Sequence, residues 1–129
     1  MVSLILVSHS RQLAEGLADL VRQVAGEVPV VPVGGTADGR LGTDATAIVE
    51  AVEAVYSDDG VVLLMDLGSS VMAAETALEL LPPERSARVR LSGAPLVEGA
   101  VAAGVEARIG GTLESVLKAA ESALHEPKF

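Results

Sequence analysis

Val2 to Val7 is a nearly unbroken apolar run, and the three polar residues Ser8, His9 and Ser10 end it. A run this short, without alternation, predicts a strand covered on both faces. From Leu13 the spacing changes: Leu13, Leu17, Leu20, Val21 and Val24 fall on one helical face, with Ser10 placed to cap the start and Gly26 to end it. The pattern then repeats. Val28 to Val33 predicts a second strand, GGTADGRLG a loop, and Thr43 to Tyr56 a helix with Thr43 as cap. Gly60 to Met65 is the most apolar strand, followed by a third helix capped by Ser69 or Ser70 and running to about Leu81, where Pro82 and Pro83 stop it. Ala87 to Leu91 predicts a fourth strand. Two helices follow, from about Leu96 to Val105 and from about Thr112 to Leu124, and HEPKF at positions 125–129 reads as a disordered tail.

Strands alternating with helices predict a doubly wound α/β domain, mostly parallel, with right-handed crossovers and helices on both faces. In the flavodoxin-like order 2-1-3-4 the first and third strands lie side by side at the topological switch point, and ligands bind beyond their carboxyl ends. That order brings two loops together: Ser8-His9-Ser10 and Asp66-Leu67-Gly68-Ser69-Ser70.

Composition narrows the partners. The chain has 129 residues, half of them hydrophobic, which suits one domain with a real core. With 18 acidic against 9 basic side chains its formal charge is −9, so a nucleic-acid backbone is repelled rather than gripped. One Tyr and one Phe leave no stacking platform for bases. The lack of cysteine removes disulfides and thiol chemistry and suits a cytoplasmic setting. No stretch is long and apolar enough to cross a bilayer, and the opening residues lack the charged start and cleavage pattern of a signal peptide.

Only two histidines occur, His9 and His125. His125, in an acidic tail, reads as a solvated side chain. His9 would stand at the mouth of the crevice, near the starts of the first and third helices, where free N–H groups and the helix dipoles attract an anion. Gly68 would let backbone approach a phosphoryl group there, and Ser69 would offer a hydroxyl. Imidazole attacks only through an unprotonated nitrogen, so it needs a partner that fixes its tautomer. Asp66 is placed to be that partner, and backbone donors can receive the equatorial oxygens in a phosphoryl transfer. Neither a metal nor a cofactor is required. The same residues also allow a plainer reading, in which His9 caps a helix, Asp66 is a loop acid, and Ser69, Ser70 and Thr43 only cap helices.

Three other sites fail on their residues. GGTADGRL at positions 34–41 spaces glycines like a phosphate-binding loop but has Arg40 and Leu41 where Lys and Ser or Thr belong. A response-regulator receiver would match Asp66 and Ser92, yet it needs an acidic pair after the first strand, where SHS stands, and a suitably placed late lysine, whereas the only lysines are Lys118, inside the last helix, and Lys128, in the tail. A serine hydrolase of Ser69, His9 and Asp66 lacks the nucleophile elbow.

Four collinear stretches carry a resemblance: LILVSHSRQLAEGLADLVRQ, LGTDATAIVEAVEAV, VVLLMDLGSSVMAAETALELL and RVRLSGAPLVEGAVAA. Over about residues 1–124 the chain resembles the phosphotransfer subunits of phosphoenolpyruvate-dependent dihydroxyacetone kinases, whose domain belongs with the mannose-type enzyme IIA proteins of the sugar phosphotransferase system. The resemblance implies that His9 accepts a phosphoryl group from the carrier HPr and passes it to ADP on the nucleotide-carrying kinase subunit, so that it reaches dihydroxyacetone. It also implies that Asp66 hydrogen-bonds the histidine, that Ser10, Thr43, Gly68 and Ser69 surround the phosphoryl group, and that the protein is a homodimer. Mannose-type transporter proteins share the histidine but usually carry a Trp-Gly-Gly-Ser-type loop after the aspartate, where this chain has LGSS, and lack its GTD and APLVEG blocks; they also swap a C-terminal strand, for which HEPKF is short and polar. The alternatives that remain are the enzyme IIA component of a mannose-type transporter and a non-catalytic ligand-binding domain on the same sheet.

Overall fold

A computed structural model describes all residues, Met1–Phe129. Four strands, β1 (Ser3–Ser8), β2 (Val30–Gly34), β3 (Val61–Met65) and β4 (Val89–Leu91), form one parallel sheet in the order β2-β1-β3-β4, as the alternating pattern predicts. Each residue of β1 is buried, and so is each residue of β3, which explains why these two lack alternation. Their side chains divide between two cores. Leu4, Leu6, Val62 and Leu64 pack with helices α1 (Arg11–Ala25), α5 (Leu96–Arg108) and α6 (Leu113–Glu121). Ile5, Val7, Leu63 and Met65 pack on the other face with α2 (Ala45–Val55) and α3 (Gly68–Leu80).

The first face is thin because α5 buries only glycine and alanine: Gly99, Ala100, Ala103, Gly104 and Ala107. A Cβ at Gly104 would stand 3.0 Å from Ala25 and Val21, so the two helices approach at backbone distance. At the β2 edge the outward carbonyl of Val30 takes a hydrogen bond from the Arg22 guanidinium at 2.8 Å, and Pro32 has no N–H to offer. This edge cannot extend a ladder with another strand.

Boundaries differ from expectation where capping chemistry decides them. The Ser10 hydroxyl caps α1, accepting the Leu13 N–H at 3.2 Å, and Gly26 ends it at φ 61°. Thr43, the expected cap of α2, is not the cap. Asp44 is, because its carboxylate reaches two first-turn donors, Thr46 N–H at 2.9 Å and Ala47 N–H at 3.4 Å. Neither Ser69 nor Ser70 caps α3, which begins two or three residues earlier, with Leu67 at the cap position. Pro82 and Pro83 end α3 as expected, but Pro83 also opens a short helix, α4 (Pro83–Ser86), since its fixed φ suits a first turn. β2 starts at Val30, two residues late, because Val28 still turns back to Ala25 through a hydrogen bond. α5 runs on to Arg108. α6, capped by Thr112, ends at Glu121, and Ser122–His125 form a 3₁₀ turn instead of its last turn. Beyond it, Lys128 pairs with Glu98.

Candidate functional site

β1 and β3 pair in register, Val7 opposite Met65, so the chain leaves both strands at the same level. His9 and Asp66 therefore emerge side by side, and the Asp66 N–H donates to the Val7 carbonyl at 3.2 Å, which continues the ladder one residue further. The His9 Nδ1 lies 2.9 Å from Asp66 Oδ1, with the imidazole 24% and the carboxylate 14% exposed.

Asp66 is the hub. Its Oδ2 accepts the His9 backbone N–H at 3.0 Å and the Ser8 hydroxyl at 2.9 Å. Oδ1 accepts the His9 ring and the Leu67 N–H at 2.7 Å, with the Ser70 hydroxyl 2.9 Å away. Burial pushes the Asp66 carboxyl up, but the hydrogen bonds from His9, Ser8 and Leu67 outweigh it and hold the group far below the usual carboxylate range. An ionised Asp66 is an acceptor only, so Nδ1 of a neutral His9 carries the proton and Nε2 carries the lone pair.

Two serines hold Asp66 in turn. Ser8 is buried at the end of β1, and its oxygen accepts the Ser10 N–H at 3.0 Å while its proton goes to Asp66. Ser70 is also fully buried: it accepts the Leu67 N–H at 3.3 Å and shares its one proton between Asp66 Oδ1 and the Leu67 carbonyl, 2.6 Å away. Neither stood among the expected site residues. The available signal for Ser8 was a hydroxyl at the end of an otherwise apolar buried strand; for Ser70 it was the helical phase, which turns it inward when Ser69 turns out.

The other side of the ring is open. Ser69 hydrogen-bonds Nε2 from the first turn of α3, and that turn leaves the Gly68 and Ser69 N–H groups without partners inside the helix. A Cβ at Gly68 would meet nothing within 4 Å, so the ground before this helix start is free. Ser10 spends its hydroxyl on capping α1. Thr43 makes no side-chain hydrogen bond, but its neighbour Gly42 donates its N–H to the His9 carbonyl at 2.9 Å, which brings the β2–α2 loop against the histidine segment. His125 lies apart on the C-terminal turn, exposed beside Glu114, Lys118 and Glu121.

Neither His9 nor Asp66 lines any of the larger hollows, although one of about 350 Å³ reaches Ser10 along Arg11, Gln12 and Gly39–Leu41. A cleft of about 360 Å³ lies next to the site, between α1, the end of β2 and α2, lined by Arg11, Gly34, Asp44 and Glu50 among others. Apolar side chains stand out on the neighbouring surface instead: Leu41 is 79%, Met72 68% and Leu67 65% exposed. No helix of the protein is long and apolar enough to cross a membrane.

Comparison with known proteins gives the same architecture a family. Residues 3–117 match the model of the family described as the phosphotransferase-system fructose IIA component. The chain is 45% identical over 128 residues to the phosphoryl donor subunit DhaM of the phosphoenolpyruvate-dependent dihydroxyacetone kinase of Escherichia coli, covering 96% of this chain but only 27% of that protein. It is 39% identical over 119 residues to the corresponding subunit of kinase 2 of Listeria innocua, covering 92% of this chain and 95% of that one. A crystal structure of a protein of unknown function superposes with a TM-score of 0.90 at 32% identity, covering 99% of this chain and 98% of that one.

Proposed function

The chain belongs to the phosphotransferase-system fructose IIA component family, and from that premise we propose that it carries a phosphoryl group on His9 Nε2 between a phosphohistidine donor and a dihydroxyacetone kinase. The observation that carries this reading is the two-sided histidine: Nδ1 is tied to an ionised, five-donor aspartate, while Nε2 faces outward beside a helix start.

In the first transfer the lone pair of Nε2 attacks phosphorus. The bond from phosphorus to the donor's imidazole nitrogen breaks, and its electron pair stays with the donor. The Nδ1 proton remains between His9 and Asp66, whose negative charge balances the imidazolium character of the phosphorylated ring. The free N–H groups of Gly68 and Ser69 would receive the phosphoryl oxygens, and the Ser69 hydroxyl would turn from the nitrogen to an oxygen. Ser10 and Thr43 complete the rim, Ser10 by fixing the start of α1. In the second transfer a terminal phosphate oxygen of ADP attacks, and Nε2 leaves with its electrons.

The donor in this proposal is HPr, and the acceptor is ADP on the nucleotide-carrying subunit of the kinase; the protein itself works as a homodimer. The dihydroxyacetone branch is favoured by the relatives, which are named as phosphoryl donor subunits of that kinase. A histidine that lines none of the larger hollows, in a protein that leaves Leu41, Leu67 and Met72 exposed, suits exchange with another protein better than capture of a free sugar, which calls for an enclosing pocket.

Incubation with phosphoenolpyruvate, enzyme I and HPr, followed by peptide mass spectrometry, tests the reading. One acid-labile phosphoryl group on His9, absent from His9→Ala, is the expected result, and its transfer to ADP on the kinase subunit is the second step to measure. An unmodified His9 beside fully phosphorylated HPr would leave a binding domain and end the carrier proposal.

A further inference from the structure

The β2–α2 loop gives the histidine no side chain, yet two glycines, one at the end of β2 and one late in the loop, lock the segment that bears it. Gly34 ends β2 directly opposite Ser8, and its missing side chain faces the start of α1. A Cβ there would stand 2.5 Å from the Ser10 carbonyl oxygen, 2.8 Å from its carbonyl carbon and 2.7 Å from the Arg11 Cα. All three are backbone atoms, so no rotamer change relieves the contact. Something must move, and β2 is held by its pairing to β1, so the Ser10–Arg11 backbone is the part free to shift. At the far end of the loop the Gly42 N–H donates to the His9 carbonyl at 2.9 Å, and a Cβ at Gly42, where φ is 147°, would press to 2.8 Å on the Thr36 methyl.

We propose that Gly34 is a positioning residue for His9, acting with Gly42 as a backbone clamp that keeps the imidazole on Asp66. The route is short and made of named contacts. Gly34 seats Ser10; the Ser10 N–H donates to Ser8 Oγ; Ser8 Oγ–H donates to Asp66 Oδ2; and Asp66 Oδ1 receives the ring. Lifting Ser10 by the few tenths of an ångström to an ångström that a methyl demands pulls Ser8 away from Asp66 and draws His9 out of register. A misplacement of about 1 Å can cost a reaction about 10²-fold. The clamp also explains why the first residue after β2 in the loop, Gly35, stands at φ 74°: the chain must turn back at once, over Arg11, to deliver Gly42 to the histidine.

The proposal rests on the carrier reading for its rate effect but not for its geometry, and two readouts separate them. In the unphosphorylated parent, ¹⁵N NMR of the neutral His9 ring is expected to report a proton on Nδ1 and a bare Nε2. In Gly34→Ala the spectrum is expected to move toward the mixture of tautomers of an unconstrained imidazole, and the phosphoryl transfer rate at saturating donor to fall at least about tenfold, with the KM for the donor little changed. Val52→Ala, a cavity on the opposite face of the sheet, serves as the stability control: its melting point should fall while its His9 spectrum stays that of the parent. If Gly34→Ala does not fold, Gly42→Ala disturbs the same clamp from outside the sheet and should shift the tautomers in the same direction. A folded Gly34→Ala with the parental tautomer overturns the proposal, as does a parental spectrum in Gly42→Ala where Gly34→Ala fails to fold. A shifted tautomer in a protein that HPr never phosphorylates would uphold the clamp and remove the carrier function alone.

Discussion

The two sides of the His9 ring are built on opposite principles. The Nδ1 side is closed: Asp66, Ser8 and Ser70 are mostly or wholly buried, and every polar atom there has a partner. The Nε2 side is open, with one hydroxyl, two unpaired helix N–H groups and a glycine whose missing side chain would touch nothing. Adjacent serines in the sequence divide between them, Ser70 inward and Ser69 outward. The difference teaches that the ring's orientation is fixed before any partner arrives, while the ground in front of Nε2 is left clear. Preorganised groups need no rearrangement during the reaction, and that is where their value lies.

The comparison can be broken most severely at its hinge. Asp66→Ala should lower the rate of His9 phosphorylation by about 10² to 10⁴, the range in which positioned acid-base and orienting groups act. Circular dichroism should remain that of a folded protein, and an unchanged rate would take Asp66 out of the mechanism. Ser70→Ala strikes the closed side more gently. It removes one donor to a charged carboxylate, while the Leu67 N–H keeps Asp66 Oδ1 as its acceptor, so stability should drop by about 1–3 kcal/mol in urea titration. Ser69→Ala belongs to the open side: its expected rate loss is below about tenfold, and its melting point should match the parent because exposed substitutions cost about 0.5 kcal/mol or less. Should Ser69→Ala prove the more destabilising of the pair, the division of labour between the two serines would be wrong.

Acid sharpens the contrast. The Asp66 carboxyl titrates lower in the folded protein than in the unfolded chain, where a free aspartate sits near about 3.9. Its contribution to stability is therefore complete above that value and is lost as pH falls toward the folded pKa. Stability measured from pH 5 downward should decline more steeply in the parent than in Asp66→Asn, which cannot titrate. The smallest expected effect comes from charge. If the proposed encounter with HPr is steered by this chain's net charge of −9, its rate should fall as salt rises while the tautomer of His9 stays constant.

Much of this was legible in the residues. The two unalternating apolar runs mark the central strands because only strands covered on both faces read that way, and the polar triplet closing the first places His9. Asp66 follows from the strand order. Cap identities were less legible, since Thr43 and Asp44 are both able caps and only the local backbone path decides which reaches two donors. Ser69 and Ser70 posed the same problem in helical phase. Gly34 could not be picked out from the chain at all: its contact with Ser10 and Arg11 bridges more than 20 positions, and within GGTADGRLG it reads as one more loop glycine.

That the larger hollows lie beside the histidine, without His9 or Asp66 in their walls, bears on how the protein could be inhibited. A small ligand would settle in the neighbouring 360 Å³ cleft, against a different set of residues. Interference with this step calls for a molecule that covers area, such as a macrocycle or an antibody domain seated across Leu41, Leu67 and Met72, or for a wedge driven into the adjacent cleft at Gly34 that loosens the histidine from behind.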